Sequence, residues 1–146
     1  VLFHRIEHGK KIYEKLRRES DKTVYYVDGG IDQDIREEHK KKMEAGEDVV
    51  IVASYGTFST GISIKKIHNI FFTESFKSEV IIRQSIGRGL RQHSSKDSVN
   101  IIDFVDDLSS QDWDNYLMRH AKERQRIYRE QKFKYDIKNV DFEGDI

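Results

Sequence analysis

The chain has 146 residues, of which 36% are charged and 36% hydrophobic, and its 26 basic and 26 acidic side chains give a formal net charge of zero. This length predicts one domain with its own core, and the zero net charge argues against a protein that coats nucleic acid over its whole surface. There is no cysteine, which excludes disulfides and thiolate metal sites, and the six histidines lack paired-ligand spacing, so no metal site is predicted. Without a membrane-length apolar run or a signal-peptide pattern, we expect a soluble, cytoplasmic protein.

Apolar runs alternate with segments of helical periodicity along the chain. Strands are predicted at residues 1–4, 24–27, 49–53, 67–73 and 99–105, and helices at 7–19, 32–45, 79–90 and 112–131, with a loop or short helix at 56–61. Asp32 is the expected N-cap of the second helix, and Gly46 is expected to end it. Because the first strand begins at once, we expect the sequence to be a fragment of a longer polypeptide.

The alternation of strands and helices with short connections predicts an α/β fold with a parallel sheet covered on both faces. Ligands of such sheets bind at the carboxyl ends of the strands. The candidate ligand-binding loops are therefore residues 5–9, 28–30, 54–61, 75–78 and 106–110.

The part of the chain after Asp106 has a different character. A helix at 112–131 is expected to pack on the sheet through Trp113, Leu117 and Tyr128. Seven basic and two acidic side chains lie between residues 116 and 134, which indicates either a nucleic-acid-binding surface or an ordinary solvated helix face. Residues 133–140 alternate in a way that is compatible with an edge strand, and the acidic tail at 141–146 is expected to fray.

The most informative stretch is residues 84–91, which read Q-x-x-G-R-x-x-R. Arg88 and Arg91 are three residues apart and would share one face of a helix, and a planar guanidinium group suits a phosphate. The neighbouring glycines would allow a close approach of a ligand or another backbone. The alternative is a surface ion-pair patch at the end of a helix.

A second stretch, residues 53–63, crowds glycines and hydroxyl side chains at the end of a buried strand. Exposed amides together with Ser and Thr hydroxyls form a neutral cradle for phosphate oxygens, although an ordinary polar turn has the same composition. The turn at 28–30 would likewise present amides to a nucleic-acid backbone, and Arg5 ends the first strand as a weak candidate for a phosphate contact.

In their order and spacing, these stretches resemble motifs IV, V and VI of superfamily-2 helicases. The resemblance covers residues 1–108, identified as a second RecA-like domain, and leaves 109–146 as a basic C-terminal extension packed on it. The sequence of residues 54–63, and Gln84 as the first residue of motif VI, are most similar to phage recombination and repair helicases of the UvsW type. Ser63 departs from the family pattern, in which an acidic residue is common at this position.

The resemblance assigns roles to individual residues. It implies that the catalytic residues are Gln84, Arg88 and Arg91. It implies that Gly61, Ser63 and Gly87 contact the nucleotide. Together with the basic helix, it implies that the nucleic-acid contacts are Arg5, Asp28, Gly29, Gly30, Ser54, Tyr55, Gly56, Thr57, Arg124 and Arg126.

The resemblance further implies ATP with Mg²⁺, held mainly by a first RecA-like domain. The sequence contains neither G-x-x-x-x-G-K-[ST] nor a D-E-x-x run, so this chain alone is not expected to hydrolyse ATP. The expected partners are that upstream domain and single-stranded or branched DNA, in recombination or repair, with no membrane. Two alternatives stay open, a non-catalytic RecA-like binding module and a motor domain of an RNA helicase or restriction enzyme. A receiver-like or flavodoxin-like domain is disfavoured because residues 4–9 lack the acidic cluster or phosphate loop that these folds require.

Overall fold

The computed structural model describes residues 1–46, 48–109, 113 and 115–140. The expectation of a frayed tail at 141–146, and the predicted start of the last helix at 112, lie outside these residues. The strands are β1 (Leu2–Phe3), β2 (Thr23–Val27), β3 (Val49–Ser54), β4 (Asn69–Phe72) and β5 (Asn100–Asp103). The helices are α1 (Ile6–Glu19), α2 (Gln33–Ala45), α3 (Tyr55–Thr60), α4 (Glu79–Gly89) and α5 (Tyr116–Glu130).

The five strands form one parallel sheet in the order β2-β3-β1-β4-β5. The predicted α/β class and the parallel sheet are therefore confirmed. Crossover connections place every strand in the same direction, so all five carboxyl ends lie along one edge of the sheet. This edge brings together loops that are far apart in the sequence.

Helices cover both faces of the sheet. Tyr13 of α1 packs on Tyr26, whereas His39 of α2 packs on Tyr25. Because neighbouring residues of a strand point to opposite faces, α1 and α2 lie on opposite sides. The predicted N-cap of α2 is confirmed, since the Asp32 side chain accepts a hydrogen bond from the Asp34 amide.

The C-terminal helix is attached through a buried polar cluster, not through Trp113. Arg124 is 0% exposed, and its guanidinium group donates to both carboxylate oxygens of Asp103, at 2.7 and 2.8 Å. It also donates to the Phe76 carbonyl at 3.0 Å, and the Tyr128 hydroxyl donates to Asp103 at 2.9 Å. Trp113 is 57% exposed, so its predicted role in packing is wrong, whereas Tyr128 is buried as expected.

No edge strand forms at residues 133–140, which lie outside helices and strands. Lys132 has a positive φ of 56° and turns the chain after α5. The apolar residues of the alternating pattern are then poorly covered, with Phe133 half-buried and Ile137 exposed. Alternation specifies a strand only where one face is buried, and this segment has no such face. No helix within the described ranges has the length and apolar character needed to cross a membrane.

Candidate nucleotide and nucleic-acid site

The candidate site has two parts, the carboxyl edge of the sheet and the C-terminal end of α4, which lies toward the opposite edge beside the starts of β4 and β5. Ser78 is the N-cap of α4, and its side chain accepts a hydrogen bond from the Ile81 amide. The second half of α4 and the two residues after it carry the arginine motif. The loops that follow β1, β2 and β3 contain the residues expected to contact nucleic acid. The sheet order places these three loops side by side.

Arg88 joins the arginine motif to the second stretch singled out in the sequence. Its Nε and Nη2 donate to the Ser59 carbonyl at 3.1 and 2.7 Å, and its Nη1 donates to the Ile62 carbonyl. Arg91 donates through Nη1 to the Ser63 hydroxyl. The two stretches are thus in direct contact, although the contacting residues are 26 to 29 positions apart in the sequence.

The two guanidinium groups form a cationic pair that no acid neutralises within the described part of the chain. Within the described residues, neither Arg88 nor Arg91 makes an ion pair, whereas Arg83 on the same helix pairs with Glu79 and Glu130. Burial lowers the pKa of Arg88 below its ordinary value, and the nearby charge of Arg91 lowers it further. An anion bound here would relieve this repulsion.

Of the remaining residues expected at the nucleotide, Gly87 has open space beside it and Gly61 is closely packed. Gln84, Gly87 and Gly61 are exposed. A Cβ atom added at Gly87 would meet nothing within 4 Å. At Gly61 it would come within 3.2 Å of the Thr57 carbonyl and 3.4 Å of the Arg36 guanidinium group, so this glycine allows close packing of α3 against α2.

The residues at 54–57 are mostly committed to their own local structure. Ser54 caps α3, since its hydroxyl accepts from the Thr57 amide and donates to the Thr57 hydroxyl at 2.9 Å. The Tyr55 ring is buried against Phe76, which removes it from the expected contact with nucleic acid. Gly56 is exposed, so it is the residue of this group that a strand would reach first.

The turn after β2 is shaped by a buried aspartate. Asp28 accepts hydrogen bonds from the Tyr26 hydroxyl and from the Gly30 amide, both at 2.8 Å. Its side chain and the Gly30 amide are therefore not presented to a ligand as expected, although Gly29 and Gly30 are exposed.

Glu74 is a residue of this edge that the sequence reasoning missed. Its carboxylate is nearly buried and accepts from the amides of His4 and Arg5, at 3.1 and 3.0 Å, and it contacts the His8 ring. The Arg5 side chain stays 77% exposed, 3.8 Å from the same carboxylate. Its position in the loop after β4 was the available signal, since the candidate loop was begun one residue too late, at 75.

The two arginines predicted to bind nucleic acid from α5 differ in accessibility. Arg124 is buried and saturated by Asp103 and Phe76, so it is unavailable, contrary to the expectation from its basic surroundings. Arg126 is on the surface, where it pairs with the carboxylates of Glu79, Glu123 and Glu130. The positive charge counted in the sequence is thus partly neutralised.

The described residues bring together no group of three or more histidine, aspartate or glutamate side chains that would hold a metal ion.

Comparisons with known proteins agree with this geometry. The family described as the helicase conserved C-terminal domain matches residues 1–93. The ATP-dependent DNA helicase uvsW of Enterobacteria phage T4 is 39% identical over 150 aligned positions, which cover 96% of this chain and 30% of that protein. The crystal structure of T4 UvsW superimposes with a TM-score of 0.74 and 40% identity, covering 95% of this chain and 30% of that one.

A more distant structure shares the fold alone. The C-terminal part of the Fun30 ATPase domain is 16% identical, with a TM-score of 0.60 over 88% of this chain and 47% of that chain. The chain spans 30% of the length of the T4 helicase that it matches. With its parallel RecA-like sheet and its arginine motif packed on the preceding loop, the chain belongs to the helicase conserved C-terminal domain family of superfamily-2 helicases.

Proposed function

We propose that this chain is the second motor domain of an ATP-dependent DNA helicase or translocase that acts in recombination, repair or branched-DNA remodelling. Residues 1–108 form the motor domain in this proposal, and 109–146 form a C-terminal extension. The observation that carries the proposal is the pair formed by Arg88 and Arg91, two adjacent cations that make no ion pair within the described part of the chain. The name of the T4 relative supports the choice of ATP and DNA.

Arg91 is the better candidate for an arginine finger. Among the described residues, its side chain makes one hydrogen bond, to the Ser63 hydroxyl, so the guanidinium group can turn toward a phosphate at little cost in free energy. Arg88 donates to the Ser59 and Ile62 carbonyls and so also braces α4 against the loop after α3. Fingers of this kind are worth about 10³–10⁵ in rate because they stabilise charge on the transferring phosphoryl group.

The residues present fit an anionic nucleotide phosphate. The cationic pair, the Ser63 hydroxyl and the open space at Gly87 adjoin one another on α4 and the loop before β4. Bound ATP with Mg²⁺ would supply the phosphoryl group to be transferred, and we assign most of its binding to a first RecA-like domain. Gln84 is exposed on the same helix and would orient that phosphate or couple the motif to its neighbours.

The loops at the carboxyl edge would hold one strand of DNA by its phosphates. Arg5 offers an exposed guanidinium group, and Gly29, Gly30 and Gly56 leave the backbone accessible. Contacts to phosphates carry little sequence information, which suits a motor that moves along any sequence. Because Arg88 connects α4 to the loop after α3, a movement of the nucleotide site would be transmitted toward this edge.

The test uses a helicase polypeptide that contains this chain, and it measures DNA-stimulated ATP hydrolysis. Arg91→Ala is compared with Arg83→Ala, since Arg83 is a nearby arginine on α4 that is neutralised by glutamates. We expect Arg91→Ala to lower turnover about 10³-fold or more and Arg83→Ala to leave it nearly unchanged. Equal activity of the two variants would show that the arginine motif is a surface patch and would favour a non-catalytic binding module.

A further inference from the structure

The first turn of α5 carries an exposed aromatic and basic patch that the motor proposal does not use. Tyr116 is 54% exposed. The Arg119 guanidinium carbon lies 5.9 Å from the centre of the Tyr116 ring, and the His120 ring centre lies 3.8 Å from it. Trp113, three residues earlier, is exposed as well. We call Tyr116, Arg119, His120 and the neighbouring Lys77 the stacked patch.

The electrostatic surroundings of the stacked patch are positive. His120 is only 6% exposed, and its Nδ1 is buried without a hydrogen-bond partner among the described residues. Burial lowers the His120 pKa, and the charges of Lys77, Arg124 and Arg119 lower it further. Arg124 is neutralised by Asp103, but within the described ranges Lys77 and Arg119 make no ion pair. The patch therefore combines an open aromatic ring with two cations that have no acidic partner among the residues that the structure describes.

The stacked patch lies at the same end of the sheet as the loops proposed to hold DNA. Asn115, the N-cap of α5, donates to the Asp106 carbonyl at 3.0 Å, which fixes the start of α5 just beyond β5. Lys77 belongs to the loop that follows β4. A nucleic-acid strand that leaves the edge near β4 would thus meet the Tyr116 ring next.

We propose that the stacked patch is a base-stacking site for single-stranded nucleic acid, in which Tyr116 stacks on a base while Arg119 and Lys77 contact the flanking phosphates. The inference rests on the proposed function in one respect, that this edge faces nucleic acid. An exposed ring with cations beside it is the combination that binds single strands without sequence preference. A duplex keeps its base faces covered, so the ring would select unpaired bases.

The experiment measures the affinity of the 146-residue chain for a fluorescently labelled oligothymidylate of about 12 nucleotides by anisotropy. The variants are Tyr116→Ala, Tyr116→Phe and Arg119→Ala. Tyr135→Ala is the matched control, because Tyr135 is also exposed and also contacts an arginine, Arg129, at 3.3 Å, but lies beyond the other end of α5. Thermal unfolding of each variant verifies that it is folded.

We expect Tyr116→Ala to weaken binding about tenfold, because stacking on one aromatic side chain has this magnitude. Tyr116→Phe keeps the ring and should bind within about twofold of wild type, as should Tyr135→Ala. Trp113 is the single tryptophan of the chain, and its fluorescence should be quenched as the oligonucleotide binds.

Two outcomes would overturn the inference alone. One is that the wild-type chain binds the oligonucleotide and the Tyr116→Ala variant binds it with the same affinity. The other is a Tyr116→Ala defect that is as large for a duplex of the same sequence, since base stacking would then not be the cause. If the wild-type chain binds no nucleic acid, both this inference and the proposed binding of DNA at the carboxyl edge are wrong. The ATPase test of Arg91 is independent of both.

Discussion

Removing the carboxylate of Asp103 should destabilise the chain more than any change to a surface ion pair. Asp103 is the acceptor for two Arg124 hydrogen bonds and for the Tyr128 hydroxyl. In Asp103→Ala, the Arg124 guanidinium group would stay fully buried with only the Phe76 carbonyl as partner. Leaving a buried charge unpaired costs about 3–5 kcal/mol, and the orphaned Tyr128 hydroxyl adds about 1 kcal/mol.

The assay is urea unfolding of the chain, followed by circular dichroism, with Arg126→Ala as the control. Arg126 makes more ion pairs than Arg124, but its side chain is 45% exposed and its charge is screened by solvent, so its loss should destabilise the chain much less than Asp103→Ala. The double variant Asp103→Leu with Arg124→Met should cost less than Asp103→Ala, because it removes the buried charge together with its partner. Equal destabilisation by Asp103→Ala and Arg126→Ala would refute the view that this buried cluster holds α5 in place.

Two further predictions concern glycine and glutamate positions. Gly87→Ala should stabilise the chain by up to about 1 kcal/mol, because the added Cβ meets nothing within 4 Å and alanine favours a helix. Gly89→Ala, in the same helix, should destabilise the chain by about 1–3 kcal/mol, because its Cβ would come within 2.7 Å of the Ile70 Cδ1 atom. Urea unfolding of both variants measures the change in the free energy of unfolding, which should have opposite signs for the two. Changes of the same sign would contradict the packing described. Glu74→Ala should cost about 1 kcal/mol, because it removes the shared acceptor of the His4 and Arg5 amides, and it should weaken DNA binding. A variant with unchanged unfolding and unchanged oligonucleotide affinity would show that Glu74 does not position the Arg5 loop.

The elements that the sequence predicted well are those with a strong local signal. The apolar run of β3 and the Asp32 cap of α2 are where expected, because burial on both faces and capping are each specified by neighbouring residues. The parallel topology followed from the alternation of strands and helices. The contact between α4 and the loop after α3 was not predicted, because it joins residues that are 26 to 29 positions apart.

The failures concern residues whose role depends on a distant partner. Arg124 looks like its exposed basic neighbours in the sequence, and only the approach of Asp103 from β5 makes it a buried residue. Tyr55 follows a strand at a loop that suits a ligand, but its ring fills space beside Phe76. Long-range packing decided both of these cases, and helical or strand periodicity carries no information about it.

The failure at Asp28 has a local cause instead, since its side chain accepts hydrogen bonds from Tyr26 and Gly30 within its own turn.

The most direct test of the central claim compares ATP affinity and turnover of Arg91→Ala in one preparation of a helicase polypeptide that contains this chain. A residue that contacts the phosphoryl group mainly in the transition state changes turnover and leaves ground-state binding nearly intact. We predict that turnover falls about 10³-fold or more while the affinity for ATP changes by less than about tenfold. Turnover and affinity that fall together would make Arg91 a binding or folding residue, and unchanged turnover would contradict the assignment of the Arg88 and Arg91 pair to phosphoryl transfer.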